Sequence, residues 1–360
     1  MVGPQSGVQR AARELVRALD RLAAEGGVSF TPILLCPKDA VPPPLRATEV
    51  RHLPGRGQVF EQVLLPFAAR GGILLNLANV APILHKRSVL MMHDAQTRTS
   101  PDSYARAFRY WYAVLQPIVA RRALRVLTVS TYSAMQLSRH RLAGRSGAHV
   151  IPNGAEHVLE PLADDAVLTR IGLRPGGYVL ALGSNQPHKN VRMLLNAARL
   201  PGTPPLVLTG HAGAEGSLPG LFYAGRVDDA ELRALYEGAI ALALPSLEEG
   251  FGLPAGEAMA CGCPVLAARA GALPEVLGGA GVLLPPDDPQ AWAAAMVRLA
   301  SDPGACATLS AAGLARAGTL SWRAAATELV EVIEEVTAGQ AAPMVCPTYP
   351  SRRPSATPAR

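Results

Sequence analysis

The chain has 360 residues, 49% of them hydrophobic and 17% charged, which is typical of a globular protein and leaves room for two domains with full cores. No apolar run approaches the roughly 20 residues that a membrane-spanning helix needs, and the polar N-terminus does not resemble a signal peptide. Five scattered cysteines, without a Cys or His cluster to complete a metal site, favour a reducing cytosol.

Positive charge is concentrated in the first half of the chain. Residues 1–160 carry a net charge of +10 and residues 161–360 one of −4. A basic half favours an anionic partner: a membrane surface, a phosphorylated acceptor or nucleic acid. Nucleic acid fits least, because aromatic residues are few and no nucleic-acid-binding motif is present.

The first predicted element is a helix over residues 8–24, directly after a loop with Gly3, Pro4 and Gly7. In a doubly wound α/β domain the first strand is usually central, and the loop after it binds ligand. Because the sequence opens at that loop, we expect that this domain lacks its first strand and that a strand-like segment lies upstream of Met1.

Four arginines on this helix share one face, since they recur at spacings of three and four: Arg10, Arg13, Arg17 and Arg21. A solvated charged face is the more common outcome of such a pattern. The sharper interpretation is contact with anionic lipid headgroups.

Short apolar runs then alternate with helical patterns. Strands are predicted at residues 30–36, 73–77, 88–92, 125–129 and 149–151, and helices at 59–69, within 100–123 and from the capping sequence STYS at 130–133. The alternation predicts a parallel sheet with helices on both faces. The polar segment 161–177 is predicted to connect this domain to a second one.

A second alternating series follows. Strands are predicted at residues 178–182, 206–209, 222–224, 239–244, 265–268 and 282–284, and helices at 191–200, 229–237, 289–300, 303–317 and 322–336. The tail after residue 337 has five prolines and three arginines without periodicity, which predicts disorder. The sequence therefore predicts two successive parallel α/β domains.

The stretch PSLEEGFGLPAGEAMACGCPV, residues 245–265, is the most informative part of the chain. Gly250 and Gly252 permit backbone conformations closed to other residues and allow a ligand to approach the main chain. Pro254 suits the first position of a helix. The amides of Phe251 to Leu253 then lie at a positive helix end, which favours phosphate.

Two carboxylates, Glu249 and Glu257, flank these amides. Phosphate does not need carboxylates, but hydroxyls do, so the expected ligand has both phosphates and sugar hydroxyls. Taken alone, Glu249 is more simply a solvated loop acid and Glu257 a helix-dipole residue. The concentration of special residues in one loop favours the ligand site.

Ligands of such sheets bind at the carboxyl ends of the strands. The strand-end loops with unusual residues are expected to face one cleft: residues 3–7, 93–94, 183–190, 210–213 and 248–254. A dehydrogenase that binds NAD also uses doubly wound sheets, but the G-x-G-x-x-G sequence that it needs after its first strand is absent.

The stretch at 245–265 resembles the donor-site signature of the family-4 retaining glycosyltransferases, with two glutamates separated by seven residues. Further segments resemble that family in the same order: SGVQRAARELVRAL, HDA, RVLTVSTYSA, VIPNG, LGSNQPHKNV, YAGRVDDAELRALYEGA and ALPEVLGGAGVLLPPDD. The resemblance covers residues 3 to about 336. It implies a GT-B fold, in which two Rossmann-like domains face a cleft.

The implied organisation is an acceptor-side domain over residues 1–160 and a nucleotide-sugar domain over 161–320. A helix at 321–337 would cross back to the first domain, ahead of the disordered tail at 338–360. The implied activity is transfer of a hexose from a nucleotide-diphosphate sugar with retained anomeric configuration. No metal or other cofactor is expected, because fixed cations and helix dipoles would replace the metal.

The resemblance also implies roles for particular residues. Lys189, one of only three lysines, would neutralise the diphosphate as it leaves. Glu257 would accept hydrogen bonds from the ribose, and Glu249 would contact the donor sugar. His93 would face the donor sugar and the acceptor, although a lone His at a strand end is more often structural.

The remaining donor contacts implied by the resemblance come mostly from backbone. They are the glycines Gly7, Gly183, Gly250 and Gly252, the amides of Phe251 and Leu253, and Val227 beside the base. Ser184 stands where the family often has an arginine, five residues before its lysine, so one diphosphate cation is missing. Arg226 and His188 are candidates to compensate.

We therefore expect a glycosyltransferase of surface polysaccharide or glycolipid synthesis, acting on a glycan or lipid-linked acceptor. Family habit favours GDP-mannose as donor, although no residue specifies the base or the sugar. The expected location is the cytoplasm, with peripheral attachment to the inner face of the plasma membrane through the basic domain. The alternative is a non-catalytic relative that binds sugar nucleotide or scaffolds partners.

Overall fold

The computed structural model describes residues 6–103, 105–210 and 219–338. Predictions for residues 1–5, for 211–213 and for the tail after 338 lie outside these ranges. The strands of the described part are β1 Ile33–Pro37, β2 Glu49–Leu53, β3 Leu74–Asn76, β4 Ser88–Met91, β5 Arg125–Thr128, β6 Ala148–Val150, β7 Val179–Gly183, β8 Leu206–Gly210, β9 Leu221–Gly225, β10 Ala241–Leu244, β11 Val265–Ala268 and β12 Val282–Leu284.

The helices alternate with these strands. They are α1 Gly7–Ala24, α2 Gly57–Val59, α3 Leu65–Ala68, α4 Gln96–Thr99, α5 Arg106–Arg122, α6 Thr131–Arg139, α7 Ala166–Ile171, α8 Val191–Ala198, α9 Asp229–Gly238, α10 Leu253–Ala260, α11 Leu273–Leu277, α12 Pro289–Ser301, α13 Pro303–Ala317 and α14 Trp322–Thr337. A π-helical segment, Phe60–Leu64, links α2 to α3, and short 3₁₀ turns occur at Pro101–Ser103, Glu156–Leu159 and Pro187–Lys189.

In the first domain the strands form two separate parallel sheets, β1-β2 and β3-β4-β5-β6. Within the described residues, α1 is the first element. The sequence analysis missed β2, because its residues EVRHL are polar and mostly exposed and so form no apolar run.

The second domain contains one parallel sheet in the order β12-β11-β10-β7-β8-β9, which confirms the predicted parallel α/β architecture. The chain runs outward from β7 through β8 to β9 and then returns to place β10 on the other side of β7. Such a change of direction opens a crevice at the carboxyl ends of the two central strands. The loops that follow β7 and β10 therefore meet.

The segment 161–177, predicted to connect the two domains, contains α7, which packs against α9 and β9 of the second domain. One detail of the sequence analysis was wrong. Helix α10 begins at Leu253, so Pro254 occupies its second position.

The arginines of α1 lie on one face, where Arg10 and Arg17 form ion pairs with carboxylates of other segments. The side chains of Arg13 and Arg21 on the same face are 41% and 45% exposed.

Helix α14 leaves the second domain and packs along α1. Its Glu335 forms a 2.8 Å ion pair with the buried Arg125 of β5, and its Glu328 lies 2.8 Å from His149 of β6. Helix α14 therefore binds both α1 and the four-stranded sheet of the first domain. None of the helices in the described ranges is both long and apolar enough to cross a membrane.

Candidate donor-binding cleft

Lys189 and Glu249 meet at the crevice between β7 and β10. Lys189 ends the turn after β7, Glu249 follows β10, and the lysine Nζ lies 2.7 Å from Oε1 of the glutamate. The lysine side chain is 29% exposed and that of Glu249 10%, so the pair opens on one side to the cleft. A cation and a carboxylate of this kind can bind a phosphate oxygen and a sugar hydroxyl side by side.

Two glycines shape the loop between Glu249 and α10. Gly252 has φ +90°, which favours glycine, and a Cβ there would lie 2.8 Å from Cδ2 of Leu273. At Gly250 the restriction is steric: a Cβ would lie 2.6 Å from the carbonyl oxygen of His93 in the first domain. Gly250 thus permits close approach of the two domains.

Serines of the STYS sequence hold this contact in place. Ser130 Oγ donates to the carbonyl of Gly250 at 2.5 Å, and Ser133 Oγ lies 3.0 Å from the same oxygen and 2.9 Å from the carbonyl of His93. Ser130 also caps α6, as predicted. Its second role, across the cleft, gave no signal in the sequence.

Glu257 is buried within a chain of hydrogen bonds. Trp322 Nε1 donates to His157 Nδ1 at 3.0 Å, so the ring proton lies on His157 Nε2, which donates to Glu257 Oε1 at 3.0 Å. Tyr236 donates its hydroxyl to Oε2, also at 3.0 Å. Burial raises the pKa of Glu257, but these donors and the nearby Arg10 outweigh it, so the net pKa is lowered and the carboxylate stays charged.

Arg10 is a cation of the first domain near this carboxylate. Its guanidinium forms a 2.5 Å ion pair with Asp229 at the start of α9, and it interacts electrostatically with Glu257. Burial alone would lower the pKa of Arg10, but the carboxylates of Glu257 and Asp229 raise it by more, so the net pKa is raised.

His93 is buried at the end of β4, and its Nε2 lies 2.9 Å from the carbonyl of Leu77. Because a carbonyl oxygen only accepts hydrogen bonds, the ring proton lies on Nε2, and Nδ1 is left as a hydrogen-bond acceptor. Burial lowers the pKa of His93, so the imidazole is neutral. Its neighbour Asp94 accepts a 3.0 Å hydrogen bond at Oδ1 from the amide of Gln96.

A third acid, Glu248, binds the first domain instead of facing a ligand. Its carboxylate accepts hydrogen bonds from the hydroxyls of Thr99 and Ser100. His188 likewise contacts the first domain, with Nδ1 2.7 Å from Ser103 Oγ. Burial lowers the pKa of His188, so it does not supply the cation that is missing at Ser184.

Comparison with known proteins assigns the family. Residues 176–302 match the family model described as "Glycosyl transferases group 1". Over 265 residues the chain is 32% identical to the O-antigen chain mannosyltransferase B of Escherichia coli, covering 68% of this chain and 69% of that protein. The chain belongs to the group 1 glycosyltransferases.

Two further proteins are similar to this glycosyltransferase. The chain is 34% identical over 256 residues to the MMP alpha-(1->4)-mannosyltransferase of Mycolicibacterium hassiacum. This match covers 65% of the chain and 60% of that protein. The sucrose-phosphate synthase of Thermosynechococcus elongatus superposes with a TM-score of 0.70 at 22% identity, covering 93% and 95% of the two chains. The latter likeness supports the GT-B fold.

The structure of the glycosyltransferase brings most of the predicted donor residues to one cleft. Gly7 begins α1 against the start of α10, since a Cβ there would lie 3.9 Å from Cδ1 of Leu253. Gly183 ends β7, and Ser184 Oγ turns back to the amide of Gln186. Val227 lies in the turn before α9, whose first residue is paired with Arg10.

Several residues of this cleft were missed by the sequence analysis as site residues: Arg10, Asp94, Ser130, Ser133, His157, Tyr236, Glu248 and Trp322. Asp94 and Glu248 belong to strand-end loops that were expected to face the cleft, but no role was given to either. Most of the others lie inside or beside a segment that resembles the family, whereas Trp322 lies outside all of those segments. Their partners are far away along the chain, so only the folded structure reveals the contacts.

Proposed function

We propose that the protein transfers a hexose, with retention of anomeric configuration, from a nucleotide-diphosphate sugar to a glycan or lipid-linked acceptor of surface polysaccharide synthesis. The observation that carries the proposal is the Lys189–Glu249 pair, 2.7 Å apart at the crevice, with the buried charged Glu257 behind it. Together they provide one cation for phosphate and two carboxylates for sugar hydroxyls, and a nucleotide-diphosphate sugar has both kinds of group.

Each of these groups has a distinct role in the proposal. When the donor binds, Lys189 leaves its ion pair with Glu249 and binds the diphosphate instead. It then stabilises the negative charge that grows on this leaving group. The freed Glu249 binds hydroxyls of the donor sugar, and Glu257 binds the ribose. The amides of Phe251 to Leu253, at the start of α10, bind phosphate or sugar oxygens. Because Lys189 and this helix end supply the positive charge, the reaction proceeds without a metal.

Mannose is the proposed sugar, carried by GDP. Support comes from the two relatives named as mannosyltransferases, which match 68% and 65% of this chain. Val227 and the start of α9 would contact the base.

Peripheral attachment to the inner face of the plasma membrane also forms part of the proposal, but through a different surface from the one that the sequence suggested. On α5, Tyr110, Trp111, Val114 and Ile118 are exposed. Arg106 lies at one end of this surface and Arg121 and Arg122 at the other, and within the described residues none of the three forms an ion pair. Exposed aromatic and aliphatic side chains flanked by arginines suit an anionic lipid surface.

Sedimentation with phosphatidylcholine vesicles, with and without phosphatidylglycerol, tests this attachment. We expect salt-sensitive binding only to the anionic vesicles, lost in Trp111→Ser and in Arg121→Glu/Arg122→Glu but kept in Arg174→Glu on the second domain. Equal binding to both kinds of vesicle, or none, contradicts it.

The transfer itself is tested with a panel of nucleotide sugars and the anomeric configuration of the product read by NMR. We expect turnover with GDP-mannose and an α-linked product from the α-linked donor. A β-linked product would contradict retention, and tight binding of a nucleotide sugar without turnover on any acceptor would favour the non-catalytic alternative. Turnover that survives complete chelation of divalent ions is expected, and its loss would contradict metal independence.

A further inference from the structure

The peptide group that joins Gly250 to Phe251 lies in the loop between β10 and α10, one residue after Glu249. Its carbonyl faces the first domain, where Ser130 Oγ donates to it at 2.5 Å and Ser133 Oγ lies 3.0 Å away. Both serines are only 1% exposed. Because buried hydroxyls and carbonyls are nearly always hydrogen-bonded, the two serines fix the direction of this carbonyl.

The direction of the carbonyl also fixes that of the Phe251 amide. In a planar trans peptide the C=O and N–H bonds point in opposite directions, so this N–H points away from α6 and its serines. Among the described residues the amide has no hydrogen-bond partner, although Phe251 is only 6% exposed. An unpaired amide on a buried residue is uncommon in proteins, and it indicates a place for an oxygen atom of a ligand.

The end of α6 that carries these serines is itself held by the second domain. Glu275 of α11 accepts hydrogen bonds from the amides of Thr131 at 2.8 Å and Tyr132 at 3.1 Å. Ser130 Oγ accepts one from the amide of Ser133 at 3.0 Å, so the first three amides of α6 are all capped. The carboxylate of Glu275 also suits the positive end of the helix. Hydrogen bonds in both directions therefore dock α6 against the second domain.

We propose that Ser130 and Ser133 are positioning residues for transfer, which direct the Phe251 amide toward a hydroxyl of the donor sugar. The sugar is the expected partner because the amide follows closely on Glu249, to which the proposed function assigns the sugar hydroxyls. The serines belong to the first domain and the amide to the second. This part of the donor site is therefore complete only when the two domains are docked. The inference rests on the proposed function.

Ser130 also caps α6, so the test has to separate capping from the hydrogen bond to Gly250. Aspartate does this, because its carboxylate accepts from the Ser133 amide as an N-cap residue should but cannot donate to a carbonyl. Threonine keeps both functions through its hydroxyl. Ser133→Ala removes the second hydroxyl, adds no charge and leaves the cap in place.

Two quantities are measured: kcat/KM for transfer from the nucleotide sugar that the wild type uses, and calorimetric affinity for the matching nucleoside diphosphate. We expect kcat/KM to fall about 10–100-fold in Ser130→Asp and about 3–10-fold in Ser133→Ala, and to stay within about 3-fold in Ser130→Thr. Affinity for the nucleoside diphosphate should change by less than about 3-fold, because that ligand carries no sugar. Asp302→Ala, which removes the N-cap of α13, is the control for helix stability and should keep wild-type kinetics.

Unchanged kcat/KM in both Ser130→Asp and Ser133→Ala overturns the inference and leaves the proposed function standing. An equal loss of kcat/KM and of nucleoside diphosphate affinity also overturns it, since a purely structural role of the serines would produce that result. If thermal melting shows that Ser130→Asp does not fold, Ser133→Ala decides alone, and unchanged kcat/KM in it overturns the inference. A wild type that is inactive with every nucleotide sugar overturns both the inference and the proposed function.

Discussion

Arg10 and Asp229 form a 2.5 Å ion pair that joins the first helix of one domain to the start of α9 in the other. Arg10 is 21% exposed and also helps to lower the pKa of Glu257. The same guanidinium therefore closes the cleft and supports the charge of the acid assigned to the ribose. It therefore supplies positive charge next to Glu257 and Asp229.

Replacement of Arg10 by Gln should weaken donor binding more than the chemical step. Without the ion pair and its support for Glu257, we expect KM for the donor to rise about 5–30-fold and kcat to fall less than about 3-fold. Asp229→Asn should act in the same direction, and the double variant should be less than additive. Arg13→Gln, on the same helix, is the control; equal effects at both positions would refute the role of Arg10.

Addition of a methyl group at Gly250 should separate the two domains at the loop between β10 and α10. A Cβ 2.6 Å from the carbonyl of His93 forces the loop or β4 to shift, so we expect Gly250→Ala to lower kcat/KM by about 100-fold, because misplacement of about 1 Å has that scale of cost. Gly72→Ala is the control, since its Cβ would lie 3.7 Å from the nearest atom. Steady-state kinetics with circular dichroism as a fold check measure this. Full activity in Gly250→Ala would show that the contact is dispensable.

The hydrogen bond from Trp322 to His157 should increase the affinity for the nucleotide, although α14 is not part of the second-domain sheet. Trp322→Phe leaves His157 Nδ1 without its donor, which frees the imidazole to change tautomer and lose its bond to Glu257. We expect nucleotide affinity to fall about 3–10-fold, the cost of about 1 kcal/mol or slightly more for a lost hydrogen bond. Trp292→Phe loses an equivalent bond, to Pro285, at another fully buried tryptophan of the second domain. Calorimetric titration should separate the two variants; the same affinity in both would contradict this link.

Stability should depend on pH through Asp94. Because burial raises its pKa from 3.8 to about 6, the folded state holds this proton where the unfolded state has lost it. Its contribution to stability is thus full below about pH 4 and falls as pH rises to about 6. Asp94→Asn has no carboxyl group to ionise, so its free energy of unfolding should not show this loss. Between pH 4 and pH 8, the unfolding free energy of the variant should therefore gain about 1–3 kcal/mol relative to that of the wild type. Urea unfolding at both pH values measures the difference, and a pH-independent difference would contradict it.

Buried strands and helix starts could be predicted from the sequence because their determinants are local. The apolar runs of β10 and β11 lie on central strands and are wholly buried, and Ser130 caps α6 through its own side chain. Strand β2 has no such run, since it pairs only with β1 and exposes most of its side chains. The π-helical turn at Phe60–Leu64 likewise follows no local pattern.

The candidate site was predictable only in part, for the same reason. Spacing and family resemblance indicated Lys189, Glu249 and Glu257, but not what surrounds them. The helical spacing of the α1 arginines correctly placed them on one face. Their partners, Glu160 and Asp229, lie more than a hundred residues further along the chain, so the sequence offered only a solvated or a lipid-facing interpretation of this face.

Lys189 should stabilise the departing diphosphate in the glycosyltransferase reaction. The most direct measurement is the kcat of sugar transfer from GDP-mannose and a panel of other nucleotide sugars, for wild type, Lys189→Ala and the exposed control Lys86→Ala. We predict turnover in the wild type and Lys86→Ala and a fall of about 100-fold or more in Lys189→Ala, the scale seen when one charge-stabilising group is removed. Wild-type turnover in Lys189→Ala would show that Lys189 does not stabilise the leaving group.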